Sequence, residues 1–313
     1  MKMFVFVFAL LGALVASANH NDPAYWRMVR NGVDGEIVLT VVDDQSRPVP
    51  DANVHVEFSE VRGLNVVDSR TDSDGKCVLR QRTSGNKITI LLSKDGYYDS
   101  RMDFSLIKIG NVHEIRNGRW QPWPIEKEIE LRKIREPVSL CHFAKRLSTA
   151  LTNQWLGVDM QLGDFVRPNG SGEVSDFELK IQWDGLNDLK SRLCTTDVFF
   201  HSILSGGVLV PKVLNSKFPH VYRAETNSNF ISSFQFQDRH GEFYSTHKPL
   251  SKDVTCVTRT RCVVDRNGML KAANYGCIRQ LDVQPSRKGT NVVISIQVVF
   301  NPTPNDTHLE PKK

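Results

Sequence analysis

The sequence contains no Cys-x-x-Cys pair, which removes the ligand spacing of zinc ribbons and thioredoxin-type redox sites. It has no Gly-x-Ser-x-Gly elbow and no His-Glu-x-x-His signature, so neither an α/β-hydrolase nucleophile nor a zincin metal pair is written locally. No pattern in it calls for a cofactor. One-signed charge is scarce: 40 Lys and Arg against 35 Asp and Glu leave +5, with no long basic run. That field is too mild for a dedicated nucleic-acid binder. Six cysteines in 313 residues are too sparse for a disulfide-framework miniprotein. No heptad array, collagen period or solenoid repeat is visible. Beyond the N-terminus no apolar run is long enough to cross a bilayer.

What is present begins with a targeting pattern. Lys2 is followed by the apolar run Phe4 to Val15 and then by Ala16-Ser17-Ala18, small residues where a signal peptidase reads. The expectation is a signal peptide over 1–18, cut after Ala18, and a secreted or periplasmic chain with no integral membrane segment. The length predicts about two domains, and a 40% hydrophobic content is enough to bury cores.

A polar leader spans 19–33, in which Tyr25 and Trp26 are available to dock. From Gly35 the pattern turns to strands. Ala52, Val54, Val56 and Phe58 alternate with polar residues, the mark of a half-buried antiparallel strand. Turns follow at Asp43 to Pro48, Thr71 to Gly75 and Lys94 to Tyr97, with β-rich runs Lys87 to Ser93 and Ile125 to Ile134 between and after them. This spacing predicts a β-sandwich over 34–138. Asn111 to Pro124 is expected to be a loop. In 139–310, Phe143, Leu147 and Leu151 recur at i, i+4, i+8 and predict one helix over Cys141 to Gln154. The rest of that domain is expected to be β-rich, with a hairpin turning at Asp265-Arg266-Asn267-Gly268 and a central strand Val292 to Phe300.

The order Asp44-x(4)-Pro48-Val49-Pro50-x-Ala52-x-Val54, then Thr71-Asp72-x-x-Gly75, then Lys94-x-Gly96-Tyr97 resembles the carboxypeptidase regulatory-like domain. That resemblance covers about Gly35 to Ser105. It implies a small Ig-like, transthyretin-like sandwich in an exported protein, and it implies no catalysis. The second half resembles a group of uncharacterised exported bacterial proteins that carry this module. The residues concerned are Gly157-Val158-Asp159, Gly163-Asp164-Phe165-Val166-x-Pro168-x-Gly170, Asn274-Tyr275-Gly276 and the terminal Asn301-Pro302-Thr303-Pro304-Asn305-Asp306-x-x-Leu309-Glu310. Cys256, Cys262 and Cys277 depart from that pattern.

Several residues are candidates for chemistry. Trp120, Trp123 and Trp155 fall in segments read as loops or ends, where a ring can meet a sugar face or fill a core. Arg259 and Arg261 are two apart on one predicted strand and would share a face, as an anion clamp or a solvated surface. Asp159, Asp164 and Asp176 flank a Gly-rich loop, either as hard-cation ligands for calcium or as turn caps. Pairing Asp265 with Gly268 sets Cys256 opposite Cys277, a candidate disulfide. Adjacent Cys141 and His142 do not face each other on a helix, and His240 and His247 read as surface residues. The expected function is a non-catalytic binding protein for a glycan or another exported protein. The alternatives are a hydrolase with its site in the second domain, marked by two convergent carboxylates or a Cys/His pair, and a structural surface component.

Overall fold

The computed structural model describes residues 17–18, 22–60, 63–108, 111–150, 153–183, 192–240, 245–246, 253–285 and 291–312. Most of residues 1–18, where a signal peptide is expected, and His247 lie outside them. The chain is mainly β and divides into two compact units. Unit 1 is 1–133 with 215–217, and unit 2 is 134–214 with 218–313.

The leader is not a free tail. Pro23–Asn31 forms a helix, α1. Asp22 caps it by accepting the Ala24 amide at 2.8 Å, Pro23 occupies the first turn, and Gly32 leaves it at φ +79°. Tyr25 and Val29, one turn apart, are buried. The Tyr25 hydroxyl donates to the His113 carbonyl at 3.0 Å. Burial pushes that phenol up to about 12.

Unit 1 has seven principal strands: β1 (Val33–Val42), β2 (Asn53–Glu60), β3 (Gly63–Arg70), β4 (Lys76–Thr83), β5 (Lys87–Ser93), β6 (Ser100–Phe104) and β7 (Ile125–Glu130). One sheet runs β3-β2-β5-β6. In the other, β1 pairs antiparallel with β4 and parallel with β7. Both sheets turn Ile37, Leu39, Val54, Val56, Phe58, Ile88, Ile90 and Ile129 into one core. β3 was not anticipated. It is an edge strand with Leu64 and Val66 exposed and Val67 half-buried against the core, so its apolar run Leu64, Val66, Val67 does not alternate. The turn into β4 needs its glycine: Gly75 sits at φ +67°, and a Cβ there would lie 2.5 Å from the Val41 carbonyl oxygen. Ser17–Ala18, which the expected cut would remove, pair with Ile115–Arg116.

Unit 2 has nine: β8 (Cys141–Thr149), β9 (Trp155–Asp159), β10 (Phe177–Trp183), β11 (Arg192–Phe199), β12 (Gly206–Pro211), β13 (Ser233–His240), β14 (Val254–Val264), β15 (Leu270–Pro285) and β16 (Val292–Asn301). One sheet runs β8-β16-β15-β14-β12 and the other contains β9-β10-β11-β13. Leu179, Ile181 and Val198 from the second meet Leu281, Ile294, Ile296 and Val298 from the first in one core.

The helix predicted over Cys141 to Gln154 is instead a strand over Cys141–Thr149, and Leu151 lies outside the described residues. A spacing of four is a multiple of two, so Phe143 and Leu147 fit a pleat as well as a helix face. The residues of β8 pair from Cys141↔Phe300 to Thr149↔Val292. Cys141, Phe143 and Leu147 pack on the core, while His142 is exposed.

The terminal Asn-Pro-Thr-Pro-Asn-Asp segment is a strap. The Asn305 side chain accepts the Ala273 amide at 3.1 Å, Leu309 is fully buried, and the buried Glu310 carboxylate accepts the amides of Arg135 at 2.8 Å and Glu136 at 2.7 Å. His308 latches it, with Nδ1 on Asp306 at 2.5 Å and Nε2 on Glu136 at 2.8 Å. Hydrogen bonds to Asp306 and then Glu136 raise the His308 imidazole above its ordinary value, against partial desolvation and the nearby Arg223 charge. A raised histidine stabilises fully below its unfolded pKa of about 6.5 and loses that contribution as pH rises through its folded value. Melting curves across neutral pH should therefore show His308→Gln less stable than the native chain under mildly acidic conditions, with the gap closing as pH rises. A gap that stays constant would refute the latch.

Candidate functional site

The structure brings three of the candidate residues together, but in a buried cluster. β14 carries one extra residue against β15: Thr260 pairs with Asn274 and Val263 with Ala272. Arg261 takes up the slack at φ +50°. The alternation breaks there, so Arg259 and Arg261 do not share a face. Arg259 donates to the Leu204 carbonyl at 2.7 Å and lies 4.3 Å from the centre of the Phe230 ring. Arg261 turns toward the core side and bonds both oxygens of Asp176, at 2.8 and 3.0 Å, and Asp159 at 2.9 Å. It also bonds the Gln161 side chain.

Asp159 organises the Gly-rich loop. One of its oxygens accepts the amides of Gln161 and Leu162, both at 3.0 Å. The other accepts those of Glu173 at 3.0 Å and Val174 at 3.1 Å. Burial opposes its charge, but the amides of Leu162, Glu173 and Val174 and the Arg261 charge hold the carboxyl below the usual range. Asp176 accepts the Met160 amide at 2.7 Å. Asp164 is tied separately. Burial opposes its charge too, yet the Ser171 hydroxyl and amide, Lys145 and the Phe165 amide outweigh it and hold it at about 2. Gly170 lets the loop close, since a Cβ there would sit 2.3 Å from the Phe165 carbonyl oxygen.

This arrangement corrects the calcium reading of Asp159, Asp164 and Asp176. Their oxygens are occupied by N–H, hydroxyl and cationic donors, and a guanidinium stands where a cation would need to be. Asp159 and Asp176 do converge, but on Arg261, and both side chains are closed off from solvent. Cys141 and His142 point to opposite sides of β8, as neighbours on a strand must.

The disulfide expectation is corrected by register. Gly268 is at φ +77° and the loop is closed by Asp265 and Met269, so Val264 pairs with Leu270. That sets Cys256 opposite Ile278 and Cys277 opposite Val257. The two thiols lie on opposite faces, Cys256 in the inter-sheet core and Cys277 in a smaller cluster with Tyr275 and Leu309. No disulfide joins Cys256 to Cys277. Burial pushes Cys277 up to about 12.

The three tryptophans separate. Trp120 is fully buried in a two-residue strand, Arg119–Trp120, not in a loop. Its Nε1 donates to the Thr83 carbonyl at 3.1 Å. Trp123 is half-buried, with the Arg119 guanidinium 4.8 Å from its ring centre. Trp155 is 45% exposed on the outer face of the β9-β10-β11-β13 sheet.

That outer face is the candidate binding surface. Its register builds two rows across four strands. One is Trp155, Lys180, Asp197 and Gln235; the next is Gly157, Glu178, Phe199 and Ser233. With strands about 4.8 Å apart, each row spans roughly 14 Å. Lys180 Nζ lies 5.7 Å from the Trp155 ring centre, and Phe199 is 6.0 Å from it. Gln235 donates to Asp197 at 2.6 Å. Beyond Phe199, His201 meets its ring edge at 4.6 Å and pairs with Glu178. Only Trp155 of this set was singled out by sequence. The neighbours sit on separate strands up to 80 residues away, and only the register aligns them.

No helix among the described residues is long and apolar enough to cross a membrane. The sequence matches no family model and no curated protein. Among solved structures, 3-chlorocatechol 1,2-dioxygenase from Rhodococcus opacus 1CP is 14% identical at a TM-score of 0.26, over 33% of this chain and 60% of its own. Catechol 1,2-dioxygenase from Acinetobacter sp. ADP1 is 12% identical at 0.25, over 37% and 55%. A DUF3823 family protein from Parabacteroides merdae ATCC 43184 is 7% identical at 0.19, over 86% and 100%. The chain thus spans under two thirds of either dioxygenase.

Proposed function

We propose that this is an exported, non-catalytic binding protein whose second unit recognises a glycan on the outer face of β9-β10-β11-β13. The observation that carries the reading is the exposed Trp155 ring at the head of a row of hydrogen-bonding side chains, Lys180, Asp197 and Gln235. An aromatic ring stacks on the C–H face of a pyranose, and flanking polar groups reach its hydroxyls. The signal-like segment ending at Ala18 supports export. Unit 1 is proposed as an accessory module of the carboxypeptidase regulatory-like kind. In support, Gly75 makes the turn expected of it, and Ala52 and Val54 enter the core.

A glycan array probed with the native chain and Trp155→Ala tests this. Bound glycans should lose about tenfold or more in affinity in the variant, with stability changed by no more than about 0.5 kcal/mol. An array with no bound glycan, or one unchanged by the substitution, would reject the platform. A second reading, a protein partner, is favoured by Ile203, Leu204, Leu209 and Ile231, all exposed at or beside the edge strand β12.

A further inference from the structure

Unit 1 carries a charged cleft of about 770 Å³ on the outer side of the β1–β4 pair. Its working residues are Asp34, Glu36, Arg80, Arg82, Arg119 and Trp123. Register sets Arg119, Asp34 and Arg82 in one row and Glu36 with Arg80 in the next. Two contacts orient the arginines: Arg80 Nε bonds Glu36 at 2.5 Å, and Arg82 Nε donates to the Gly32 carbonyl at 3.1 Å. Arg119 lies against Trp123. Among the described residues neither Arg82 nor Arg119 pairs with a carboxylate, and Asp34 between them forms no ion pair.

Two unpaired guanidinium forks match one carboxylate. Asp34 and Glu36 repel a multiply charged anion, while Asp34 accepts hydroxyl hydrogens. Trp123 offers apolar surface to a ring. We propose that this cleft binds a hydroxylated carboxylate, a sugar acid of the uronate type, at a site separate from the Trp155 platform.

NMR titration of the full chain with D-galacturonate, oligogalacturonate, D-galactose and D-galactose 6-phosphate tests it. Galacturonate should shift the Trp123 indole and bind about tenfold or more tightly than galactose. Galactose 6-phosphate should gain nothing over galactose. Tighter binding of the oligomer identifies a polysaccharide residue as the source, and equal binding a free sugar acid. Arg82→Gln and Arg119→Gln, both at exposed positions, should each abolish the preference for the acid as read at the Trp123 indole. Galactose binding as tightly as galacturonate, no binding of either acid, or unaltered affinity in both arginine variants would overturn the proposal.

Discussion

Arg261→Met is expected to destabilise unit 2 by about 3–5 kcal/mol, the usual cost of leaving a buried charge without its partner. Two charges are stranded here. The side chains of Asp159 and Asp176 are 2% and 0% exposed, and Arg261 is the cation bonded to both. Methionine fills much of the volume, so the loss reports charge more than packing. Arg261→Lys keeps the charge but not the fork that spans two carboxylates, and should lose less. Adding Asp159→Asn and Asp176→Asn to Arg261→Met should recover part of the loss, because the stranded charges go with their partner. Acid sharpens the test. Asp159 titrates below its unfolded value of about 3.9, so its contribution is present above that pH and is lost as pH falls through the depressed folded value. The methionine variant should lose part of that acid dependence. Urea unfolding across pH 3–7, followed by amide exchange in the 160–175 loop, reads all of this. A loss under about 1 kcal/mol would show that Arg261 is dispensable.

Trp120→Ala is expected to cost unit 1 about 3–5 kcal/mol. The ring is 0% exposed and meets Tyr25 edge-on at 6.3 Å. Gly85 packs so closely that a Cβ there would lie 3.0 Å from the indole. Losing the ring opens a cavity under α1, so amide protection of Pro23–Asn31 should fall with global stability. Trp120→Phe keeps most of the volume but leaves the Thr83 carbonyl without its donor, and should cost about 1–3 kcal/mol. Trp155→Ala provides the contrast, a tryptophan whose removal stability barely registers. If Trp120→Ala melted like the native chain, the core assignment would fail.

Sequence legibility followed burial. Ala52 to Phe58, Lys87 to Ser93 and Val292 to Phe300 turn one or both faces into a core, and their patterns read as strands at nearly the observed limits. β3 turns one apolar side chain, Val67, toward the core and left no alternating pattern. The helix α1 was legible in principle: Asp22-Pro23, Tyr25 with Val29, and Gly32 are cap, stripe and stop. Nine residues inside a polar stretch gave that stripe too little length to stand out. The error at β8 came from a four-residue spacing that suits both periods. The binding rows were illegible because register, not spacing, assembles them. The Arg261 cluster was hidden by a single inserted residue, which moved one arginine to the other side of its strand. The same kind of one-residue shift, at the Gly268 turn, separated Cys256 from Cys277.

The pairing of β8 with β16 also sets an order of synthesis. All seven principal strands of unit 1 have left the ribosome by Glu130, so that sandwich can close while the rest of the chain is still being made. Unit 2 has no such early option. β8 is among its first segments, yet its partner is its last strand, about 150 residues later, and the strap follows that. Until then β8 lacks its strand partner, and the nascent second half exposes apolar strands. Truncation between Ile134 and Val292 should therefore leave the principal strands of unit 1 complete and β8 without its partner.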